Sequence, residues 1–228
     1  MSVLRTIAFI AAVTAATSAH AQDDEPDFTF GGYVAVSNDY RDRGLTLSDG
    51  DISVYGSLSV FHKSGFYAGV DAALSDDTFG RDQKTEFYVG YSFDKGVYAY
   101  DFSFELEGFY GNSDAYYPEI KASISRDFGL AFIRGGAAFA PEGRWNTPGV
   151  DSLYTYADLD IPVPTLPALT FISHVGYDFR DGRSDLFDWS IGFSAVLDPV
   201  EISLTYEDSS LDQRIGNGAV ILGFRAYF

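Results

Sequence analysis

The stretch Gly218-Ala219-Val220-Ile221-Leu222-Gly223-Phe224-Arg225-Ala226-Tyr227-Phe228 decides the fold. Counting back from Phe228, every second residue is apolar: Ala226, Phe224, Leu222 and Val220, with Tyr227, Arg225, Gly223 and Ile221 between them. A period of two is that of a β-strand with one greasy face. At the open edge of a soluble sheet such a strand would template aggregation. As the closing strand of a membrane barrel it has partners on both sides and lipid against its apolar face.

The opposite end of the chain supports an exported protein. One positive charge at Arg5, an apolar run from Ile7 to Val13 and the tripeptide Ala19-His20-Ala21 read as a secretory signal peptide over residues 1–21. The barrel domain is then expected over 22–228. Without Arg5, 14 basic residues face 33 acidic ones, a formal charge of 14 − 33 = −19. Such a surface repels nucleic acid, which needs a basic footprint. There is no cysteine, which removes disulfides, thiolate metal sites and cysteine catalysis. No stretch after the leader approaches the roughly 18 consecutive apolar residues of a transmembrane helix. Yet 16 Tyr and 20 Phe are a heavy aromatic load for an acidic soluble protein, and strands flanked by aromatic girdles account for it.

The chain divides into twelve alternating segments, near 28–37, 51–61, 66–75, 85–93, 97–110, 118–126, 130–139, 151–161, 168–179, 187–197, 200–208 and 219–228. Each is close to the roughly 9 to 11 residues that cross a bilayer at a tilt. Short links alternate with longer polar ones at 38–50, 76–84, 111–117, 140–150, 180–186 and 209–218. Short periplasmic turns and longer outer loops are the habit of outer-membrane barrels. All eight prolines are expected in turns, in loops or at the first residue of a strand, as with Pro118. The fold class is therefore all-β, a closed antiparallel transmembrane barrel of about twelve strands.

Each strand has one apolar and one polar face. In the fifth segment Tyr98, Tyr100, Phe102, Phe104 and Leu106 alternate with Ala99, Asp101, Ser103, Glu105 and Glu107. A soluble sandwich would bury three carboxylates on one side, whereas lipid outside and water inside satisfy both faces. Arg134 is placed in the lumen because an arginine facing the bilayer midplane costs roughly 2 to 4 kcal/mol. These registers give the lumen twelve acids: Asp71, Glu86, Asp101, Glu105, Glu107, Glu119, Asp158, Asp160, Asp178, Asp188, Glu201 and Glu207. Lys121, Arg134, Arg180 and Arg225 are the four bases set against them, and His174 stands in the same wall. A surplus of carboxylates in a narrow aqueous passage concentrates cations and disfavours anions. The expectation is a passive channel for small hydrophilic solutes that leans toward cations; the alternative is a non-conducting barrel, plugged by its paired charges, that serves adhesion or envelope structure, with a barrel hydrolase as a third reading.

Two resemblances add to this. The Gly218–Phe228 pattern resembles the C-terminal assembly signal of bacterial outer-membrane proteins, with Phe228 as its last residue. The segment Ser37-Asn38-Asp39-Tyr40-Arg41-Asp42-Arg43-Gly44-Leu45-Thr46, with Gly65-Phe66-Tyr67-Ala68-Gly69 one strand later, resembles the TorF-type porins of proteobacteria over about residues 33 to 75. That resemblance carries over Ser37, Tyr40, Arg43 and Gly44 as motif positions and implies an outer-membrane barrel of a Gram-negative envelope with diffusion activity. Asp42 departs from the pattern, in which an apolar or aromatic residue is common. From the residues themselves, Gly44 can take a positive φ and turn the loop back over the mouth. Arg43 can pin it to a carboxylate, against the plainer reading of a solvated turn.

Enzymatic and metal chemistry find little support. A Ser-His or Asp-His mechanism needs a histidine in reach of its partner. After the leader there are His62, in a short turn, and His174, whose neighbour Ser173 points to the other face. The acids around Asp181–Asp185 and Asp76, Asp77 and Asp82 lack the spacing of a calcium loop. No cofactor and no metal are expected. Lipid and lipopolysaccharide, the barrel assembly machinery and small solutes or ions are the expected partners. Loop 140–150, with Arg144 and Trp145, is a candidate constriction, although its Gly and Pro content reads more naturally as an external loop.

Overall fold

The computed structural model describes residues 26–77 and 79–228; the leader read over 1–21 lies outside the described residues. Alternation of apolar and polar side chains sets twelve barrel strands: β1 (Phe28–Ser37), β2 (Ser53–His62), β3 (Phe66–Leu74), β4 (Arg81–Lys95), β5 (Tyr98–Gly111), β6 (Ala115–Asp127), β7 (Phe132–Ala140), β8 (Ser152–Pro162), β9 (Leu169–Arg180), β10 (Leu186–Leu197), β11 (Val200–Ser209) and β12 (Ala219–Tyr227). Each pairs antiparallel with its neighbours in sequence, and β1 pairs with β12 to close the ring.

The seam is short. Its register runs from Tyr33↔Tyr227 to Ser37↔Gly223, and Phe228 adds a reciprocal pair of main-chain bonds with Gly32, both at 3.0 Å. At the other end Asn38 continues the ladder with its side chain. Its Nδ2 donates to Val220 O at 3.0 Å and its Oδ1 accepts from Leu222 N at 2.7 Å.

Outward residues are apolar and uncovered, among them Phe30, Leu58, Phe87, Phe102, Ile191 and Phe224. Such a continuous belt is a membrane surface, not an aqueous one. Aromatic clusters mark its rims: Phe66, Tyr91, Phe93 and Tyr100 toward the short turns, and Trp189 with Tyr206 toward the loops. Inward residues of β12 are Ile221, Gly223, Arg225 and Tyr227, while Val220, Leu222, Phe224, Ala226 and Phe228 are exposed on the other face.

Two expectations need correction. β4, β5 and β6 run past the belt as Arg81–Lys95, Tyr98–Gly111 and Ala115–Asp127, so the link 112–114 is shorter than the turn 163–168 and the short-long alternation is not strict. The extension also places Pro118 inside β6 rather than at its start. It is tolerated because the ladder to β7 begins only at Ile120↔Phe139, leaving one edge of β6 with nothing to break at Pro118.

Candidate functional site

The first loop enters the barrel instead of covering it. Ser37 Oγ donates to Asp39 O at 2.8 Å. The buried Asp39 carboxylate then accepts from Arg41 Nε at 2.6 Å, Thr46 Oγ1 at 2.5 Å and Ser48 Oγ at 3.3 Å. These bonds fold a small hairpin in which Arg41–Asp42 pairs with Leu45–Thr46. Its two central residues, Arg43 at φ 50° and Gly44 at φ 76°, have the positive φ pair that a tight two-residue hairpin turn demands. Gly44 also has no room for a side chain, since a Cβ there would lie 2.8 Å from those of Asp188 and Ser209. Its N–H donates to Glu207 Oε1 at 3.0 Å.

The hairpin spans the lumen. Its roots are β1 and β2, yet Arg43 Nη2 donates to both Glu119 oxygens on β6 at 2.7 Å. The Arg43 guanidinium carbon sits 4.0 Å above the Tyr154 ring of β8. In a twelve-strand ring that is the far wall. Leu45 and Leu47 pack into a buried cluster with Phe109, Tyr117, Trp145 and Leu186, which anchors the crossing by apolar burial. Tyr40 packs against the same cluster and meets the Tyr55 ring at a tilt, with centroids 5.1 Å apart. Burial first, and then the carboxylates around it, push its hydroxyl up to about 12.

The loop 141–151 also folds inward, contrary to its reading as an external loop. Positive φ at Glu142 and Gly143 starts a second small hairpin, Gly143–Arg144 with Thr147–Pro148. It meets the first at Asp42. Arg144 Nη2 donates to Asp42 Oδ2 at 2.7 Å, and Trp145 Nε1 donates to the same oxygen at 2.9 Å. Arg144 also lies 3.4 Å from Glu107 and 3.7 Å from Glu119. Trp145 is only 1% exposed, and its carbonyl accepts from Arg81 Nη2 at 3.3 Å. Burial alone would raise the Asp42 carboxyl, but Arg144, Lys84 and Arg43 outweigh it and hold it well below the usual carboxylate range.

The wall charges form a second layer. Lys84 bridges Glu86 at 3.1 Å and Glu107 at 2.8 Å. Lys121 pairs with Glu105 and, at 3.3 Å, with Glu119. Arg134 meets Asp158 at 2.8 Å, Arg180 meets Asp178 at 2.9 Å and Arg225 meets Glu201 at 3.5 Å. His174 Nδ1 lies 2.6 Å from Asp158, with Tyr154 Oη and Asp188 Oδ1 at 2.7 and 3.2 Å from its Nε2. By contrast, Asp71, Asp101, Asp160 and Glu207 have no Lys or Arg partner among the described residues. Asp101 instead accepts from Tyr67 Oη at 2.9 and 3.0 Å.

Sequence reasoning left Lys84 out of the lumen, named Arg144 and Trp145 as a candidate constriction but favoured an external loop for them, and gave Asp42 no partner. Lys84 fell outside the segment read from residue 85, whereas β4 begins at Arg81 and turns Lys84 inward. The alternation Leu45, Thr46, Leu47, Ser48 was the available sign that the first loop is buried.

Below and beside the hairpins lie two cavities, of about 420 and 310 Å³, with Glu207 lining both. In the larger, tyrosines lie flat on the wall over glycines of the neighbouring strand. Tyr156 covers Gly136 and Tyr154 covers Gly176, where any Cβ would meet the ring at 2.6 Å or less. Tyr154, Tyr156 and His174 form a near-parallel platform, with centroids 5.8 to 6.3 Å apart and planes within 28°.

A closed twelve-stranded antiparallel barrel with an apolar belt and a charged interior is a porin-like transmembrane β-barrel. Its fold is similar to that of the KdgM porin, at 14% identity and a TM-score of 0.56 over 88% of this chain and 99% of that one. A structure titled KdgM porin in complex with disordered oligogalacturonate gives 13% and 0.57 over 88% and 99%. LpxR from Salmonella typhimurium gives 11% and 0.50 over 87% and 99%. At such identities the likeness shows the fold. Residues 21–223 match the family described as bacterial protein of unknown function (Gcw_chp), and the chain belongs to that family. No curated protein matches this sequence.

Proposed function

We propose that the protein is an outer-membrane channel through which small hydrophilic solutes diffuse, with cations preferred over anions. One observation carries the preference. Every lumen base described above, Lys84, Lys121, Arg134, Arg180 and Arg225, is committed to a carboxylate, as are Arg43 and Arg144 on the loops. Asp71, Asp101, Asp160 and Glu207 remain without such a partner among the described residues. Unneutralised carboxylates along a narrow aqueous path attract cations. The porin-like fold supports the channel itself, and the Ser37, Tyr40, Arg43, Gly44 motif supports a place beside the TorF-type porins. The environment follows from this reading: outer-membrane lipid and lipopolysaccharide around the belt, and insertion by the barrel assembly machinery.

A non-conducting barrel is the competing reading, favoured by Leu47 and Trp145 packed in the mouth at 0% and 1% exposure. Catalysis is not part of the proposal. His174 faces the lumen with Ser190 opposite it across β9 and β10, but its ring nitrogens are taken up by Asp158, Tyr154 and Asp188, and no hydrogen bond joins it to Ser190 among the described residues. Planar-bilayer recording in a tenfold potassium chloride gradient tests the function. The expected result is discrete conductance with a reversal potential of cation sign; silence or anion preference would sink the proposal.

A further inference from the structure

The platform on β8 and β9 has a feature that pairing of wall charges does not require. The Arg43 guanidinium lies 4.0 Å above the Tyr154 ring, as a cation does when an aromatic face binds it. The adjoining face of Tyr156 lines the 420 Å³ cavity and has no cation over it among the described residues. Asp158 and Asp188 stand at the platform's edges through their contacts with His174. Asp188 is 1% exposed, lines the same cavity and leaves its Oδ2 without a donor. A buried carboxylate oxygen without a donor is costly unless something supplies one.

We infer that this wall is a binding site for guanidinium-bearing and similarly planar organic cations, with Arg43 as its built-in occupant and the Tyr156 face as the free half. A planar guanidinium stacks flat on a ring while its in-plane fork donates to carboxylates, whereas an ammonium offers the ring only a compact, strongly hydrated point charge. Charges of both signs line this space, Asp158, Asp188 and Glu207 with Lys84, Lys121 and Arg134, so the preference for a guanidinium comes from the ring face beside the carboxylates and not from the net charge of the cavity. The inference rests on the lumen being solute-accessible, as the channel reading requires, but binding can be measured without conduction.

The test is calorimetric titration of the full barrel in detergent with agmatine, 1,4-diaminobutane and sucrose, with heat-modifiable gel migration as the folding control. Agmatine is expected to bind about ten-fold more tightly than 1,4-diaminobutane, which carries the same two charges without a guanidinium, and sucrose not at all. Tyr156→Ala should lose about ten-fold in agmatine affinity while Tyr156→Phe, which keeps the ring, stays within about two-fold. Arg43→Ala should tighten agmatine binding, because the vacated Tyr154 face becomes available to it. Equal affinity for agmatine and 1,4-diaminobutane, an unchanged Tyr156→Ala, or an unchanged Arg43→Ala overturns the inference. Binding without conductance in bilayers would remove the channel function and leave this site standing.

Discussion

Asp42 joins the two inward hairpins through one oxygen, which makes Asp42→Ala the sharpest perturbation of the mouth. The substitution deletes the acceptor of Arg144 Nη2 at 2.7 Å and of Trp145 Nε1 at 2.9 Å. An indole N–H left buried without a partner costs about 1–3 kcal/mol. Breaking a buried ion pair outright costs about 3–5 kcal/mol, but Glu107 and Glu119 remain 3.4 and 3.7 Å from Arg144 and absorb part of that loss. A net penalty of about 3 kcal/mol follows, which shifts the closed arrangement of the loops by roughly two orders of magnitude. The assay is emission from Trp145 in a Trp189→Phe background, which leaves it as the one indole of the two in the chain, alongside single-channel conductance. Asp42→Ala should move the emission to the red and raise the conductance, with Asp42→Asn between it and the wild type. Blue emission and unchanged conductance in Asp42→Ala would refute the idea that this residue holds the mouth.

Three further outcomes follow from the same geometry. Gly44→Ala should release the first hairpin as Asp42→Ala does, since the left-handed conformation costs an alanine about 1–2 kcal/mol before its Cβ meets Asp188 and Ser209; an unshifted Trp145 emission would contradict it. The depressed Asp42 carboxyl contributes stability that is complete above the unfolded value of about 3.9 and lost only as pH falls through the lower folded value. Trp145 emission should therefore stay constant between pH 7 and about 4.5, and opening within that window would show that another group controls the mouth. Deleting Phe228 removes its two bonds to Gly32 and should reduce assembled barrel on a heat-modifiability gel. Arg225→Gln should assemble normally and strengthen cation preference in reversal-potential measurements; the opposite pair of results would reverse the inward and outward faces of β12.

The strands were legible because lipid and water impose opposite demands on alternate residues, and that demand is written locally: Phe102 against Ser103, Phe224 against Arg225. The loops were not, because their burial depends on partners far away in sequence. Asp42 stood out as an odd residue within a motif, but Arg144 is 102 positions from it. No spacing rule connects a carboxylate in one loop to a guanidinium in another. The Arg43 and Gly44 positions were recognisable as a turn from residue type alone; that the turn crosses the lumen to Glu119 and Tyr154 depends on the length of the 38–52 loop and on Leu45 and Leu47 finding Trp145. Lys84 was missed for a humbler reason, a strand start placed four residues late.

The carboxamide of Asn38 gives the seam a further meaning. β1 must leave the wall after Ser37 for its loop to dive inward, and that departure would strip Leu222 of an acceptor for its N–H where lipid offers none. By standing in for main chain toward Val220 and Leu222, the side chain splices the gap. The wall beside the root of the inward hairpin thus stays sealed against hydrocarbon although the main chain has turned away from it.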